Sequence, residues 1–474
     1  MKTQINPSNK KLKGLLIIPY MESEDKIKLP EKFGGKDISS KVFSGKKDST
    51  LLFESEDKDL IFYLIGLGKD PEYNSIKKAF RRITAKKDDL IDSDVHLYFH
   101  QEMDSAFVEA AVSGFVLGTY RLSHFKSEDK KDFSSLQLYI HSPLNQVAKD
   151  VEKAHKIANA QLETFKLVDL PSNVATPEYL ADWAKNSGKQ YGFSVKVLDR
   201  KKAQKEKLEA FLAVSQGSVK EPQFIIMSYK HKKASKHIGL VGKGVTFDTG
   251  GLNIKTQGMV HMKCDMGGAA AVLGAMQLIA DLNLPVQVTA IVPCVENAVD
   301  NLSYLPSDVI GSYSGKTIEI IDTDAEGRLI LADGISYLIK NYQPDTIIDI
   351  ATLTGSTVGT FGYECAALFT NDQELSKNLQ NEGEKIGERV WPLPLWECYK
   401  SEMDSEIADI KNFHGKPFAG AITAAKFLEF FTEKHTSWAH IDIAGTAFGD
   451  SEFAKTKHAT AFGVHLLIKL LENH

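Results

Sequence analysis

The sequence predicts an α/β protein of two domains: a smaller one first, then a larger one built on a central mixed, mostly parallel sheet covered by helices. Three observations predict this. A chain of 474 residues is long for a single hydrophobic core. In its second part, apolar β-type runs alternate with helical stretches, the order that produces parallel sheets covered on both faces. Between the parts lies a polar amphipathic stretch that runs into a Pro-bearing turn. The expected boundaries are residues 1–145 for the first domain, 146–170 for a connecting helix and 171–474 for the second domain.

In the first part, "GLLIIPY", "STLLFES", "LIFYLIGLG" and "DVHLYFH" read as strands. "AFVEAAVSGFVLGTYRL" has the apolar spacing of a helix. "NQVAKDVEKAHKIANAQLETFKLVDLPSN" is the connector. "TPEYLADWAKNSGKQYG" then reads as a capped helix, with Thr176 as N-cap, Pro177 at the first helical position and Glu178 in the first turn. The strands of the second part are "FSVKVLD", "FIIMSYK", "HIGLVGKGV", "VQVTAIVPC", "TIEIID" and "DTIIDIATLTG". Between several of them stand the helical "GGAAAVLGAMQLIADLN", "RLILADGISYLIKNY" and "AGAITAAKFLEFFTEK".

An apolar fraction of 43% and a charged fraction of 25% are ordinary for a globular protein. The net charge of −5 gives no reason to expect nucleic-acid binding. The basic runs "NKKLKG" and "KKAFRRITAKKDD" stand among acidic residues and read as solvated faces. Cys264, Cys294, Cys365 and Cys398 are widely spaced and form no C-x-x-C pair. A disulfide framework or thiolate zinc site is therefore not expected, and a reducing compartment fits. Near the start, only residues 15–18 form a continuous apolar run, too short for a signal core or a membrane span. A cytoplasmic protein without a membrane partner is expected.

Chemistry concentrates in three segments. "HIGLVGKGVTFDTGG" carries Lys243 and Asp248; "LNIKTQGMVHMKCDMGG" carries Lys255, Lys263 and Asp265; "DTDAEGRLILADG" carries Asp322, Asp324, Glu326 and Arg328. All three are expected at strand ends, where ligands of open α/β sheets bind. Four carboxylates, Asp248, Asp265, Asp324 and Glu326, cannot share a pocket as anions without a counter-charge. Divalent metals supply it: oxygen ligands suit Mg²⁺ or Mn²⁺ and are acceptable to Zn²⁺. Two such ions activate water and hold an oxyanion, with Lys255 or Arg328 as a further positive group. Each piece alone has a plainer reading. Asp324 and Glu326 suit the start of a helix as charges complementing its dipole, and Lys243 in "GKG" lacks the spacing of a phosphate-binding loop. The fourteen histidines include no H-E-x-x-H, and no G-x-S-x-G elbow is present.

These segments resemble a known family. "DTDAEGRL" is similar to the "NTDAEGRL" hallmark of the leucyl (cytosol) aminopeptidases, the dinuclear-metal exopeptidases. "SNVATPEYLA", "VGKGVTFDTGGLNIK", "MKCDMGGAAAV", "ATLTGS", "WAHIDIAG" and "TAFGVHLL" follow the family's blocks in order. The resemblance spans about residues 165–470 and implies a smaller macro-like N-terminal α/β domain ahead of a metallopeptidase catalytic domain. It implies two divalent ions per subunit, Mn²⁺ or Zn²⁺, with Mg²⁺ or Co²⁺ as further candidates. Lys243, Asp248, Asp265 and Glu326 match the ligands of the tighter site. Asp248, Asp324 and Glu326 match those of the more exchangeable one. Lys255 matches the residue that polarises the scissile carbonyl, and Arg328 the anchor of a bicarbonate general base. Thr352, Leu353 and Gly355 match the strand end that meets the substrate. Met262, Thr352, Ala444 and Ala447 match the lining of the first side-chain pocket. The implied activity is release of leucine-like N-terminal residues from peptides with a free N-terminus, by a homohexamer. The alternatives are another dinuclear-metal hydrolase such as a phosphoesterase, or an added DNA-binding regulatory role, which some members have. The chain departs from the pattern in three places. Asp322 replaces Asn and is left without a role, the interval from Lys255 to Asp265 is one residue shorter, and Cys264 stands where an aromatic is common.

Overall fold

The computed structural model describes residues 1–7, 12–56, 58–91, 94–127 and 132–473. Residues 9–11 of "NKKLKG", and residue 474 of the expected second domain, lie outside the described residues. The chain divides into two compact units, Met1–Asn159 and Ala160–His474. The stretch read as a connector is one helix, Val147–Asp169.

The first unit holds a six-stranded sheet in the order Lys2–Ile5, Gln137–His141, Asp94–Tyr98, Gly14–Tyr20, Leu60–Gly66, Thr50–Glu54. All neighbours pair parallel except the edge strand Thr50–Glu54, which is antiparallel. The central "GLLIIPY" is buried almost throughout, as a parallel strand covered on both faces must be. Helix Ser105–Leu117 starts at Asp104, whose side chain accepts from the Phe107 N–H at 2.8 Å. The basic run "KKAFRRITAKKDD" is more than a solvated face. It lies largely on helix Tyr73–Lys86, which buries Tyr73, Ile76, Phe80 and Ile83. Lysines and arginines dominate the composition of that stretch, but the apolar residues at helical spacing set its packing.

The second unit holds the larger sheet. Its order is Val390–Pro392, Ala366–Thr370, Trp438–Asp442, Thr346–Ala351, His237–Gly242, Gln287–Asn297, Gln223–Lys230, Ser194–Leu198. The four central strands are mutually parallel, and antiparallel pairs occur toward both edges. The sheet is thus mixed and mostly parallel. Gly244–Asp248 adds a short strand beside the far half of Gln287–Asn297. Two long helices cover opposite faces, as two glycines of one strand show. A Cβ at Gly239 would lie 2.6 Å from Leu338 of helix Gly327–Tyr342, and one at Gly242 would lie 2.7 Å from the Gly268 carbonyl of helix Gly267–Asp281. Residues three apart on a strand point to opposite sides. Helix Pro177–Tyr191 has the expected cap, Thr176 accepting from the Tyr179 N–H at 3.3 Å.

One expected strand is mostly absent from the sheet. "TIEIID" contributes only Ile318–Glu319, to a small separate sheet with Val309–Ile310 and Ile410–Lys411. Alternation of apolar and polar residues marks an extended segment but not its pairing partner. The four cysteines are free. Among the described residues, no helix is long and apolar enough to cross a membrane.

Candidate metal centre

The three chemistry-bearing segments converge, though not on three neighbouring strand ends. Lys243 is the single residue between strands His237–Gly242 and Gly244–Asp248. Its N–H donates to the Ile350 carbonyl at 3.1 Å, and its carbonyl accepts from the Ala269 N–H at 2.8 Å. Asp248 closes the short strand. Asp265 stands in the turn between the 3₁₀ segment Met259–Cys264 and helix Gly267–Asp281. Asp324 and Glu326 stand in a turn before helix Gly327–Tyr342. The end of a central strand contributes Thr352 and Leu353, just past Thr346–Ala351.

Asp248, Asp324 and Glu326 each offer a carboxylate oxygen within 4.8 Å of the others. Two lysines divide this cluster. The buried Lys243 Nζ lies 2.7 Å from Asp265 Oδ1, 3.0 Å from Glu326 Oε1 and 2.8 Å from the Thr352 carbonyl. Lys255 Nζ lies 2.7 Å from Asp248 Oδ2 and also pairs with Asp324. Burial drives Asp324 up to about 7, with Glu326 and Asp248 adding to the shift against Lys255. Burial likewise raises Asp265 well above the usual carboxylate range, against the pull of Lys243. Glu326 is raised by burial and by Asp248. Burial lowers both lysines, but the surrounding carboxylates outweigh it and hold them above their ordinary value.

This donor set fits divalent cations. It is rich in carboxylate oxygens, and Asp265 Oδ2 is buried without a hydrogen-bond partner among the described residues, an acceptor that a cation satisfies. Space at the site is also specific. A Cβ on Gly327 would lie 2.5 Å from Lys243 Cε and 2.7 Å from its Nζ, so only glycine lets the lysine reach the carboxylates. Arg328 is buried and makes one described hydrogen bond, Nη1 to the Asn412 carbonyl at 2.7 Å. Its Nε has no partner among the described residues, and burial pushes the guanidinium down to about 10.

A layer of polar residues, most of which the sequence did not single out, holds these carboxylates in place. Asn297 Nδ2 donates to Asp248 Oδ1 at 2.8 Å and to the Thr323 carbonyl at 3.1 Å. Asn412 Nδ2 donates to the Asp322 carbonyl at 2.6 Å, while its Oδ1 accepts from the Ile321 N–H at 2.8 Å. Asp322, left without a role by the sequence, has one: its Oδ1 accepts from the Asp324 N–H at 2.8 Å. The Asx turn so formed presents the Asp324 carboxylate. Asparagines of this kind carry no spacing signal, because their partners are remote in sequence.

The centre forms one wall of a cavity of about 780 Å³. Met262, Thr352, Leu353, Gly355 and Ala444 line it, together with Lys255 and Arg328. Ala447 does not line it. It is buried, with its Cβ 2.9 Å from where a Cβ on Gly267 would stand.

Comparison with known proteins gives two family matches. Residues 164–468 match the cytosol aminopeptidase family, catalytic domain, and residues 21–129 match that family's N-terminal domain. A probable cytosol aminopeptidase of Chlorobium phaeobacteroides is 38% identical, the match covering 98% of this chain and 97% of that protein. One from Chloroherpeton thalassium is 39% identical over 92% of this chain and 91% of its own. Among solved structures, the bottromycin maturation enzyme BotP in complex with Mn superposes with a TM-score of 0.86 at 27% identity, covering 97% of this chain and 99% of its own.

Proposed function

The chain belongs to the cytosol aminopeptidase family and is a metal-dependent aminopeptidase, and from that premise we propose that it removes leucine-like N-terminal residues from peptides using two divalent ions. The observation that carries the proposal is the convergence of Asp248, Asp324 and Glu326 within 4.8 Å, with Lys243 and Asp265 adjoining Glu326. Lys243, Asp248, Asp265 and Glu326 would hold one ion, and Asp248, Asp324 and Glu326 the other. Asp248 and Glu326 would contribute to both. When bound, such ions supply a water nucleophile at neutral pH and neutralise the developing oxyanion. Mn²⁺ and Zn²⁺ lead the candidates, with Mg²⁺ and Co²⁺ behind them. The solved relative's complex with Mn supports the first.

The chain's own residues supply the rest. Lys243 takes part as a neutral amine, because a cation beside it replaces its proton as the counter-charge to Asp265 and Glu326. Lys255 keeps its proton. At the edge of the carboxylate cluster, its ammonium polarises the scissile carbonyl and stabilises the negative charge that grows there. Arg328 is a buried cation whose Nε–H has no partner among the described residues; it would hold a bicarbonate, which would supply a general base. Met262, Thr352 and Ala444 form an apolar receptacle for the first side chain. Selection by such a wall is soft, since one methylene is worth about 1–3 kcal/mol. Assembly as a homohexamer in the cytoplasm belongs to the same reading.

The test is chelation followed by return of single metals, assayed on leucine-p-nitroanilide beside p-nitrophenyl phosphate. Mn²⁺ or Zn²⁺ restores hydrolysis of the anilide alone. Full activity in metal-free enzyme sinks the two-ion reading, and hydrolysis of only the phosphate ester replaces the peptidase with a phosphoesterase.

A further inference from the structure

Asp442 is the last residue of strand Trp438–Asp442 and lies opposite Ala351, the last residue of the neighbouring parallel strand Thr346–Ala351. Its side chain is fully buried. An isolated charge in such a place is costly, and this one is saturated. Oδ1 accepts from the N–H groups of Leu353 at 3.1 Å, Thr354 at 3.4 Å and Ala444 at 3.1 Å. Oδ2 accepts from the hydroxyls of Thr354 at 2.6 Å and Thr357 at 2.8 Å. The donors come from Leu353 and Thr354 just past one strand, from Thr357 in the short helix Gly355–Phe361 that follows them, and from Ala444 just past the other strand. Leu353 and Thr354, Gly355 and Ser356 at the start of that helix, and Ala444 past the other strand line the cavity beside the metal centre.

We propose that Asp442 is a positioning residue for the aminopeptidase reaction, holding residues 353–357 and Ala444 in one fixed arrangement against which the peptide lies. This rests on the aminopeptidase reading of the same cavity. The five hydrogen bonds tie the segment that follows one strand, including the start of helix Gly355–Phe361, to the end of the other strand and to Ala444 just past it. Without the carboxylate, the backbone N–H groups of Leu353, Thr354 and Ala444 lose their acceptor and the segment samples other conformations. A peptide then has to order the segment as it binds, so the loss falls on binding. The metal ligands are held separately. Thr352 is anchored through its own hydroxyl to Asp265 Oδ1 at 2.9 Å, and Asp248, Asp324 and Glu326 stand on other segments. Asn at position 442 is a discriminating substitution. Its oxygen still accepts the three backbone N–H groups, and its amide donates to the threonine hydroxyls, which accept as readily as they donate.

The experiment compares full-length wild type, Asp442→Ala and Asp442→Asn on leucine-p-nitroanilide, with metal content measured on each. Asp442→Ala raises KM by about tenfold or more, with kcat within about threefold of wild type and metal content unchanged. Asp442→Asn brings KM back to within about threefold of wild type. An unchanged KM in Asp442→Ala, a fall in kcat alone, or an Asn variant as impaired as the Ala variant overturns the proposal. If Asp442→Ala does not fold, Thr357→Val is read in its place, since it removes one donor to the same carboxylate at nearly constant shape. A raised KM then supports the proposal and an unchanged one overturns it. Inactive wild type ends the aminopeptidase reading itself, which separates the two failures.

Discussion

Lys243 and Lys255 carry the same charge and divide one acidic cluster, but their surroundings assign them different work. Lys243 is enclosed by Asp265, Glu326 and the Thr352 carbonyl and is pinned at its own backbone on both sides. Lys255 reaches in from a partly open loop to Asp248 and Asp324. The first suits a ligand and the second a group that meets substrate. Lys255→Ala is therefore expected to lower kcat/KM on leucine-p-nitroanilide by about 100-fold or more while metal content holds. Glu326→Ala is expected to remove activity and metal together. Wild-type turnover in Lys255→Ala, measured beside metal analysis, counts against its role. These residues were legible because they sit in dense, unusual motifs. Asn297, Asn412 and Asp442 were not, since each is defined by groups that only the folded chain brings to it.

At the scale of elements, the helices at the site were readable and the strands less so. Helix Gly327–Tyr342 follows its apolar spacing, and its start carries Glu326 and Arg328 into the cavity. It also carries a buried carboxylate that the sequence did not flag. Asp333 Oδ2 accepts from the Phe211 N–H at 2.9 Å and Oδ1 from the Tyr313 N–H at 2.7 Å. Asp333 thus ties two neighbouring segments to the helix. Asn at this position has one acceptor oxygen for two donors. Asp333→Asn is expected to cost about 1–3 kcal/mol in urea unfolding, and an unchanged midpoint contradicts this account. "TIEIID" illustrates the limit for strands. Its pattern is β-like, but the hydrogen bonds it found are in a three-stranded side sheet, because pairing is decided by which edges are free when the chain collapses.

At the scale of the molecule, selected buried groups of the two units are expected to shift stability in opposite directions with acid. In the first, His141 is buried beside His96, with ring nitrogens 3.0 Å apart, and burial pushes it down to about 3. Burial lowers His100 and His155 as well. Folded values below the ~6.5 of a free histidine mean that the unfolded chain binds more protons, so this stability is full above about pH 6.5 and is lost as the pH falls from there. In the second unit, burial drives Asp333 up to about 7. There the folded chain binds more protons across a window from about pH 4 to 7, and its contribution to stability grows as the pH falls. Hydrogen exchange at pH 7 and pH 5, corrected for intrinsic rates, is expected to show strands Asp94–Tyr98 and Gln137–His141 losing protection while helix Gly327–Tyr342 keeps it. Earlier loss in that helix contradicts the assignment.

By itself, the sequence determined the α/β class, the long helices, the acidic residues that the fold brings together and, through "DTDAEGRL" and its companion blocks, the aminopeptidase family. These are local properties: apolar spacing follows the geometry of one element, and a motif fixes which chemical groups are available. Only the tertiary structure decided that Asp248, Asp265, Asp324 and Glu326 converge around Lys243 and Lys255, that Ala447 is buried away from the cavity lining, and that Asp442 joins the segments that follow two strands. Each of these depends on contacts between segments far apart in the chain, and the closing of such contacts is written in no single stretch.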